Sequence, residues 1–218
     1  MRRLVNGRRR TVVAFGAMAL LVGACSGSGE SRDNFVIRPI PSFAATNQVS
    51  QSLFQKQTGL EKTQLARLPV SGKATYRGAA AYVTSRKELV DKKYPEYEQI
   101  IIGNPEYVSE VRLVADFANK SVTGNLDAFR DSANQGYRID IKLDGGTIGT
   151  SDFGNDAVFG GTLEGKNIVG GETLNFTGDI AGQFLGGNGR MILGSVGFND
   201  GFTGKGSPIV GVFTAEQP

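Results

Sequence analysis

Apolar and polar residues alternate one by one along "GYRIDIKLDGG", with Tyr137, Ile139, Ile141 and Leu143 facing one way and Arg138, Asp140 and Lys142 the other. That period of two belongs to a β-strand with one buried face, since a helix would scatter the same residues round its axis. The pattern recurs in "VRLVADFA", where Val111, Leu113, Ala115 and Phe117 oppose Arg112 and Asp116. It recurs again in "GKATYRGAAAYV", where Ala74, Tyr76 and Gly78 oppose Thr75 and Arg77. Turn residues follow the strands: "NKS" after Phe117, "DGG" after Leu143, and "GGNG" between "LNFTGDIAGQFL" and "RMILGSV". These are read as hairpin turns, because glycine and asparagine tolerate the positive φ that tight hairpins need.

Of the 31 glycines, 20 fall from Gly145 onward, and several, such as Gly178 and Gly182, sit inside strand-like runs. Glycine weakens a straight strand, so its repeated use predicts the bends, bulges and close approaches of a closed barrel. Regular interleaving of Phe176, Ile180, Phe184, Ile192, Val196 and Phe213 argues against a disordered glycine-rich tail. "SPIVGVFTA" reads as a last strand that pairs with an early one and removes both edges. Phe117, Phe176, Phe184 and Phe213 are expected to line the interior.

The N-terminal stretch follows different rules. Five arginines, Arg2, Arg3, Arg8, Arg9 and Arg10, precede the apolar run "VVAFGAMALLVGA", which spans 13 residues, 12–24, and ends in small side chains at Cys25. A bilayer core needs roughly 20 helical residues, so this run reads as a secretory signal over 1–24 rather than a permanent span. Cys25 is the one cysteine of 218 residues. Two other readings stay open: an ordinary cleavage site that happens to adjoin a cysteine, and a twin-arginine export signal in "RRRTVV". Both lead to the same export.

The discarded signal also explains the charge. The full chain carries 24 basic and 21 acidic residues; without those five arginines 19 basic residues face 21 acidic ones, a net charge of −2. No basic surface for nucleic acid is expected on the mature chain. From Ser26 to about Val70 the sequence lacks sustained periodicity, and "SGSGESRDN" and "RPIPSF" are compositions of a flexible connector. Residues 25–70 are therefore expected to be a lipidated N-terminus and tether with some packed portion, including a short helix within "QVSQSLFQKQTGLEKTQLARL" broken at Gly59. Residues 71–218 form the expected β-barrel domain.

The chain has no histidine, which excludes Ser-His and Cys-His nucleophiles and histidine-metal sites. "DGGTIGTSDFGND" places Asp144, Asp152 and Asp156 in a glycine-rich stretch, but their spacing does not fit an EF-hand. One copy of the calcium-repeat-like "GNDAVFGG" cannot build a β-roll, which needs stacked neighbours. No Walker or dinucleotide-type phosphate loop occurs. The expectation is a protein that is not an enzyme, with solvated turn carboxylates, no metal and no cofactor.

Four segments in order, "ATYRGAAAY", "VADFANKSVTGNL", "GDIAGQFLGGNGRMILGSV" and "IVGVFTA", resemble the C-terminal barrel domain of the transferrin-binding protein B family, a surface-lipoprotein superfamily that includes factor H-binding protein. The resemblance spans about Ser71 to Ala215 and implies an all-β fold, an eight-stranded antiparallel up-and-down β-barrel preceded by a signal peptide and tether. Where the family carries an alanine and a glutamate after its "GxFxG" turn, this chain has Gly189 and Met191. In that family the transferrin-gripping surface lies on an N-terminal lobe that this chain has no room for, so transferrin binding does not carry over. "VGAC" likewise resembles the lipobox of bacterial lipoproteins, which implies acylation of the Cys25 sulfur and anchoring through palmitate-like chains. Ser26, in place of an aspartate, points to the outer membrane. Two functions fit this reading. One is a lipid-anchored platform whose loops bind a protein partner; the other is a lipocalin-like barrel holding a small apolar or iron-containing ligand.

Overall fold

A computed structural model describes residues 40–84, 96–169, 171–199 and 207–218; the signal and Cys25 lie outside the described residues. Among the described residues helix α1 precedes the first of eight strands and helix α2 lies between the first and second: α1 (Phe43–Gln57), β1 (Lys73–Thr84), α2 (Glu96–Gly103), β2 (Tyr107–Asp116), β3 (Ser121–Asp131), β4 (Ile139–Thr150), β5 (Ala157–Val169), β6 (Glu172–Leu185), β7 (Met191–Phe198) and β8 (Ile209–Glu216). Each strand pairs antiparallel with its sequence neighbours, and β8 closes on β1 from Arg77↔Glu216 to Thr84↔Ile209. The expected up-and-down eight-stranded barrel is the fold.

The interior is filled. Tyr76, Tyr82, Phe129, Phe184, Phe198 and Phe213 each keep under 2 % of their surface exposed, and Phe117 and Phe176 keep 6 %. Phe184 sits at the centre of one cluster, with ring centroids 5.7 Å from Phe159, 6.1 Å from Tyr76 and 6.3 Å from Phe117. Tyr82 joins Phe129 at 5.4 Å and Phe198 at 6.2 Å toward the other end. Such offset and edge-on pairs contribute beyond the area they bury. The glycines make this filling geometrically feasible: Gly194 lies opposite Phe213 in register, and a β-carbon there would stand 2.5 Å from the Phe213 ring. Gly165, opposite Phe176, is under the same constraint at 2.2 Å. Interior glycine in this barrel therefore marks space taken by a neighbouring ring rather than an empty cavity.

Two bulges keep the alternation in phase with the core. The "DGG" expected as a hairpin turn lies within β4, where the register shifts between Leu143 and Thr147 and Gly145 adopts φ 85. The extra residue reverses the facing of the strand, so both Leu143 and Ile148 point inward although they are an odd number of positions apart. In β3 a shift opposite Val108 and Glu110 does the same for Leu126 and Phe129, with Ala128 held at φ 56.

A second apolar cluster lies outside the barrel wall. Leu53 of α1 and Ile101 and Ile102 of α2 pack on Ala81, Val83, Leu193 and Val212 of β1, β7 and β8. β1 is thus covered on both faces, which is why "AAAYV" loses its alternation. Met191, where the family pattern has a glutamate, belongs to this covered cluster at 1 % exposure, so an apolar side chain suits it. Helix α1 begins at Phe43 rather than near Gln48, because Ser42 caps it by accepting a hydrogen bond from the Ala45 N–H at 3.2 Å. It ends before Gly59, as expected.

Two variants test this account. Phe213→Ala should lower stability by about 3 to 5 kcal/mol, read from denaturant unfolding, because its ring fills the centre of the barrel. Ala128→Gly should raise stability by about 0.5 to 1 kcal/mol, because an L-residue is strained in the left-handed region.

Candidate binding surface

One end of the barrel is plugged by the chain that leads into it. Residues 61–68 cross the mouth and are stitched to the strands: Thr63 N–H donates to the Phe184 carbonyl at 2.8 Å, Ala157 N–H to the Thr63 carbonyl at 2.7 Å, and Leu65 N–H to the Asn155 carbonyl at 2.8 Å. Leu68 enters the core beside Gly189. Deeper in this end, the Tyr76 hydroxyl donates to the Gly189 carbonyl at 2.6 Å and accepts from Gln217 Nε2 at 3.0 Å. Burial pushes its ionisation up to about 12, partly offset by the Gln217 contact, so it is a structural phenol at any physiological pH.

The β2–β3 and β4–β5 turns flank the plug. In the β2–β3 turn, Asp116 accepts from the Asn119 N–H at 3.1 Å and from Asn119 Nδ2 at 3.0 Å. These bonds, led by the backbone one, hold its carboxyl below the usual range, with Lys73 Nζ 3.3 Å away. Lys120 follows at φ 50, its carbonyl taking the Ile148 N–H at 2.8 Å. The β4–β5 turn is closed by Ser151 N–H donating to the Asp156 carbonyl at 3.0 Å, and it thrusts Phe153 wholly into solvent. Val70, just after the plug, is 90 % exposed.

Between plug and turns lies a cleft of about 510 Å³, with Leu65, Leu68 and Pro69 on one side and Phe117, Ala118 and Ile148 on the other. A second hollow, of about 650 Å³, runs along the outer wall between Tyr97 and Glu98 of α2 and Phe153, over Gly160, Ala181 and Ser195. Thr150 borders both. A third, of about 590 Å³, lies against the solvated wall of β4 to β6, where Asp140 stands opposite Lys166 and Lys142 opposite Glu164. All three are outside the packed interior.

The three carboxylates singled out in the sequence are not brought together as one loop. Asp144 lies in β4 on the polar wall. Asp152 and Asp156 belong to the β4–β5 turn, and Asp156 faces Lys62 Nζ at 3.8 Å. Among the described residues, no three metal-ligating side chains converge. Sequence reasoning passed over Lys120, Val70 and Phe153. An apolar residue in a turn was the available signal, as in the "DFGN" flanking Phe153.

The sequence profile of the family described as C-lobe and N-lobe beta barrels of Tf-binding protein B matches residues 68–217. The chain belongs to this family. Solved structures similar to this Tf-binding protein B barrel include a Trp-176-Ala mutant of the vaccine antigen transferrin-binding protein B from Haemophilus parasuis Hp5 and the intact Ap-TbpB with its N and C lobes. Each aligns at 17 % identity with a TM-score of 0.39, covering 72 % of this chain and 28 % of its own. This chain therefore spans little more than a quarter of those proteins. No curated protein matches it.

Replacing both turn carboxylates, Asp152→Asn with Asp156→Asn, should change stability by no more than about 1 kcal/mol, since one exposed ion pair is lost. Melting curves of wild type and double variant should coincide with and without added calcium.

Proposed function

We propose that this Tf-binding protein B-family barrel is a lipid-anchored binding module of the outer membrane, acylated on Cys25, whose plugged end and adjoining wall bind a protein partner. The filled interior carries this reading. With Phe184, Phe198 and Phe213 occupying the barrel, the space able to receive a partner lies on the outside, beside the exposed Val70 and Phe153. Val70 borders the cleft at the plugged end and Phe153 the hollow beside α2, so each adds apolar area to a concave surface open to a partner. The solved relatives are transferrin-binding proteins by name, which supports a protein partner in general. Their whole-protein partner is not transferred, because the aligned part is 28 % of each.

Anchoring draws its support from the sequence. "VGAC" closes an apolar run after five arginines, and the chain contains no second cysteine that Cys25 would pair with. Two or three acyl chains hold a protein on a membrane durably, at about 0.8 kcal/mol per buried methylene.

Growth of the native bacterium with an alkyne-tagged fatty acid tests this reading. Wild type should carry the label in the outer-membrane fraction, and Cys25→Ala should lose both label and membrane association. Equal labelling of the two proteins, or wild type recovered with the inner membrane, would overturn the anchor or its location.

A further inference from the structure

We propose that the 510 Å³ cleft at the plugged end is a docking pocket for an apolar side chain carried next to a carboxylate on a protein partner. This narrows the binding reading above and rests on it. The cleft's floor is apolar, formed by Leu65, Leu68, Phe117 and Ile148, and its volume is in the range of sites that take one or two large side chains. Its walls are already set: Leu68 is anchored in the core, Arg67 N–H donates to the Gln64 carbonyl at 2.9 Å, and the Leu65 and Ile148 amides are bonded. A partner side chain would enter without ordering the plug.

Charge decides what accompanies that side chain. The nearby Lys62 and Lys73 are committed to Asp156 and Asp116, at 3.8 and 3.3 Å. Lys120, on the rim, forms no ion pair among the described residues. The pocket thus presents an apolar floor with uncompensated positive charge at its mouth, complementary to an apolar residue flanked by Glu or Asp. A second copy of this chain is a poorer occupant, since a two-fold contact through the cleft would bring two unpaired Lys120 cations into one interface.

Lys120 carries a further mark. It holds φ 50, where glycine would sit without strain, and its carbonyl is fixed there by the Ile148 amide. The turn geometry therefore does not depend on the lysine side chain, which can be replaced without disturbing the fold. The pocket also lies away from the point where the chain enters the structure. Arg130 Nη2 donates to the Ile40 carbonyl at 3.3 Å and Phe43 N–H to Asn134 Oδ1 at 2.9 Å, both at the β3–β4 end, opposite the plug.

The test is fluorescence anisotropy on the mature full chain purified in detergent, with a dye-labelled hexapeptide Glu-Glu-Phe-Leu-Glu-Glu and its Lys-Lys-Phe-Leu-Lys-Lys counterpart. Saturable binding of the acidic peptide alone is expected, weakened at least about five-fold by Lys120→Glu and unchanged by Lys142→Glu on the far wall. Lys120→Gly should weaken binding while leaving the melting temperature equal or higher, which separates docking from folding. Equal binding of the two peptides, no saturable binding, or affinity unchanged by Lys120→Glu would overturn the pocket; the last would mean partition into the micelle. Concentration-dependent dimers abolished by Val70→Asp would assign the cleft to a second copy and overturn it as well. A chain that binds the acidic peptide but takes no fatty-acid label keeps the pocket and loses the anchor. An acylated chain that ignores the peptide does the reverse.

Discussion

The pairing of β8 with β1 is the contact on which the rest of the molecule depends. The seven pairings between sequence neighbours alone would leave a curled sheet with two open edges and an interior accessible to water. The eight-residue register from Arg77↔Glu216 to Thr84↔Ile209 turns that sheet into a closed wall. Closure brings residues from the two ends of the domain into one core: Ala80 faces Phe213, and Tyr82 faces Gly211. Because those contacts are distant in the chain, much of the loop-closure entropy is met before the core forms, and folding is expected to be slow for the chain's size.

Closure also determines what the inside can be used for. An eight-stranded barrel is just wide enough for side chains to fill it. Here the rings of Phe184, Phe198 and Phe213 do so, with glycines on facing strands giving them room. Tyr82 is buried with its hydroxyl 2.7 Å from Ser109 Oγ, and burial drives its ionisation far up. A core of this kind stabilises a scaffold and leaves recognition to the exterior.

The exterior is divided by chemistry. Over β1, β7 and β8 it is apolar and roofed by α1 and α2; over β4 to β6 it is a ladder of opposed charges such as Asp140 with Lys166. The plugged end falls between these regimes. Its apolar floor continues the core outward through Leu68 and Phe117, while its rim carries Lys120. Selective contact with a partner needs that combination, since an apolar patch alone does not discriminate and a ladder of alternating charges carries no excess of one sign.

What the sequence determined by itself was local. Alternation along 137–143 and 111–117 is a property of each strand, and it specified strands with one buried face and identified Phe117, Phe176, Phe184 and Phe213 as interior residues. The Ser42 cap and the Gly59 break were also written locally, although the start of α1 was placed too late because Pro41-Ser42 was read as connector. Helix α1 packs through Thr46, Ser50 and Leu53, a face with one apolar residue in three, so hydrophobic periodicity carried little signal of its docking. Only the tertiary structure decided that "DGG" is a bulge and not a turn, since a bulge exists relative to a partner strand. It alone decided that the interior is full, because a glycine's meaning depends on which ring stands across from it. It also brought residues 61–70 to the β2–β3 and β4–β5 turns, more than 40 positions away in sequence, and so created a cleft that no single stretch of the chain contains.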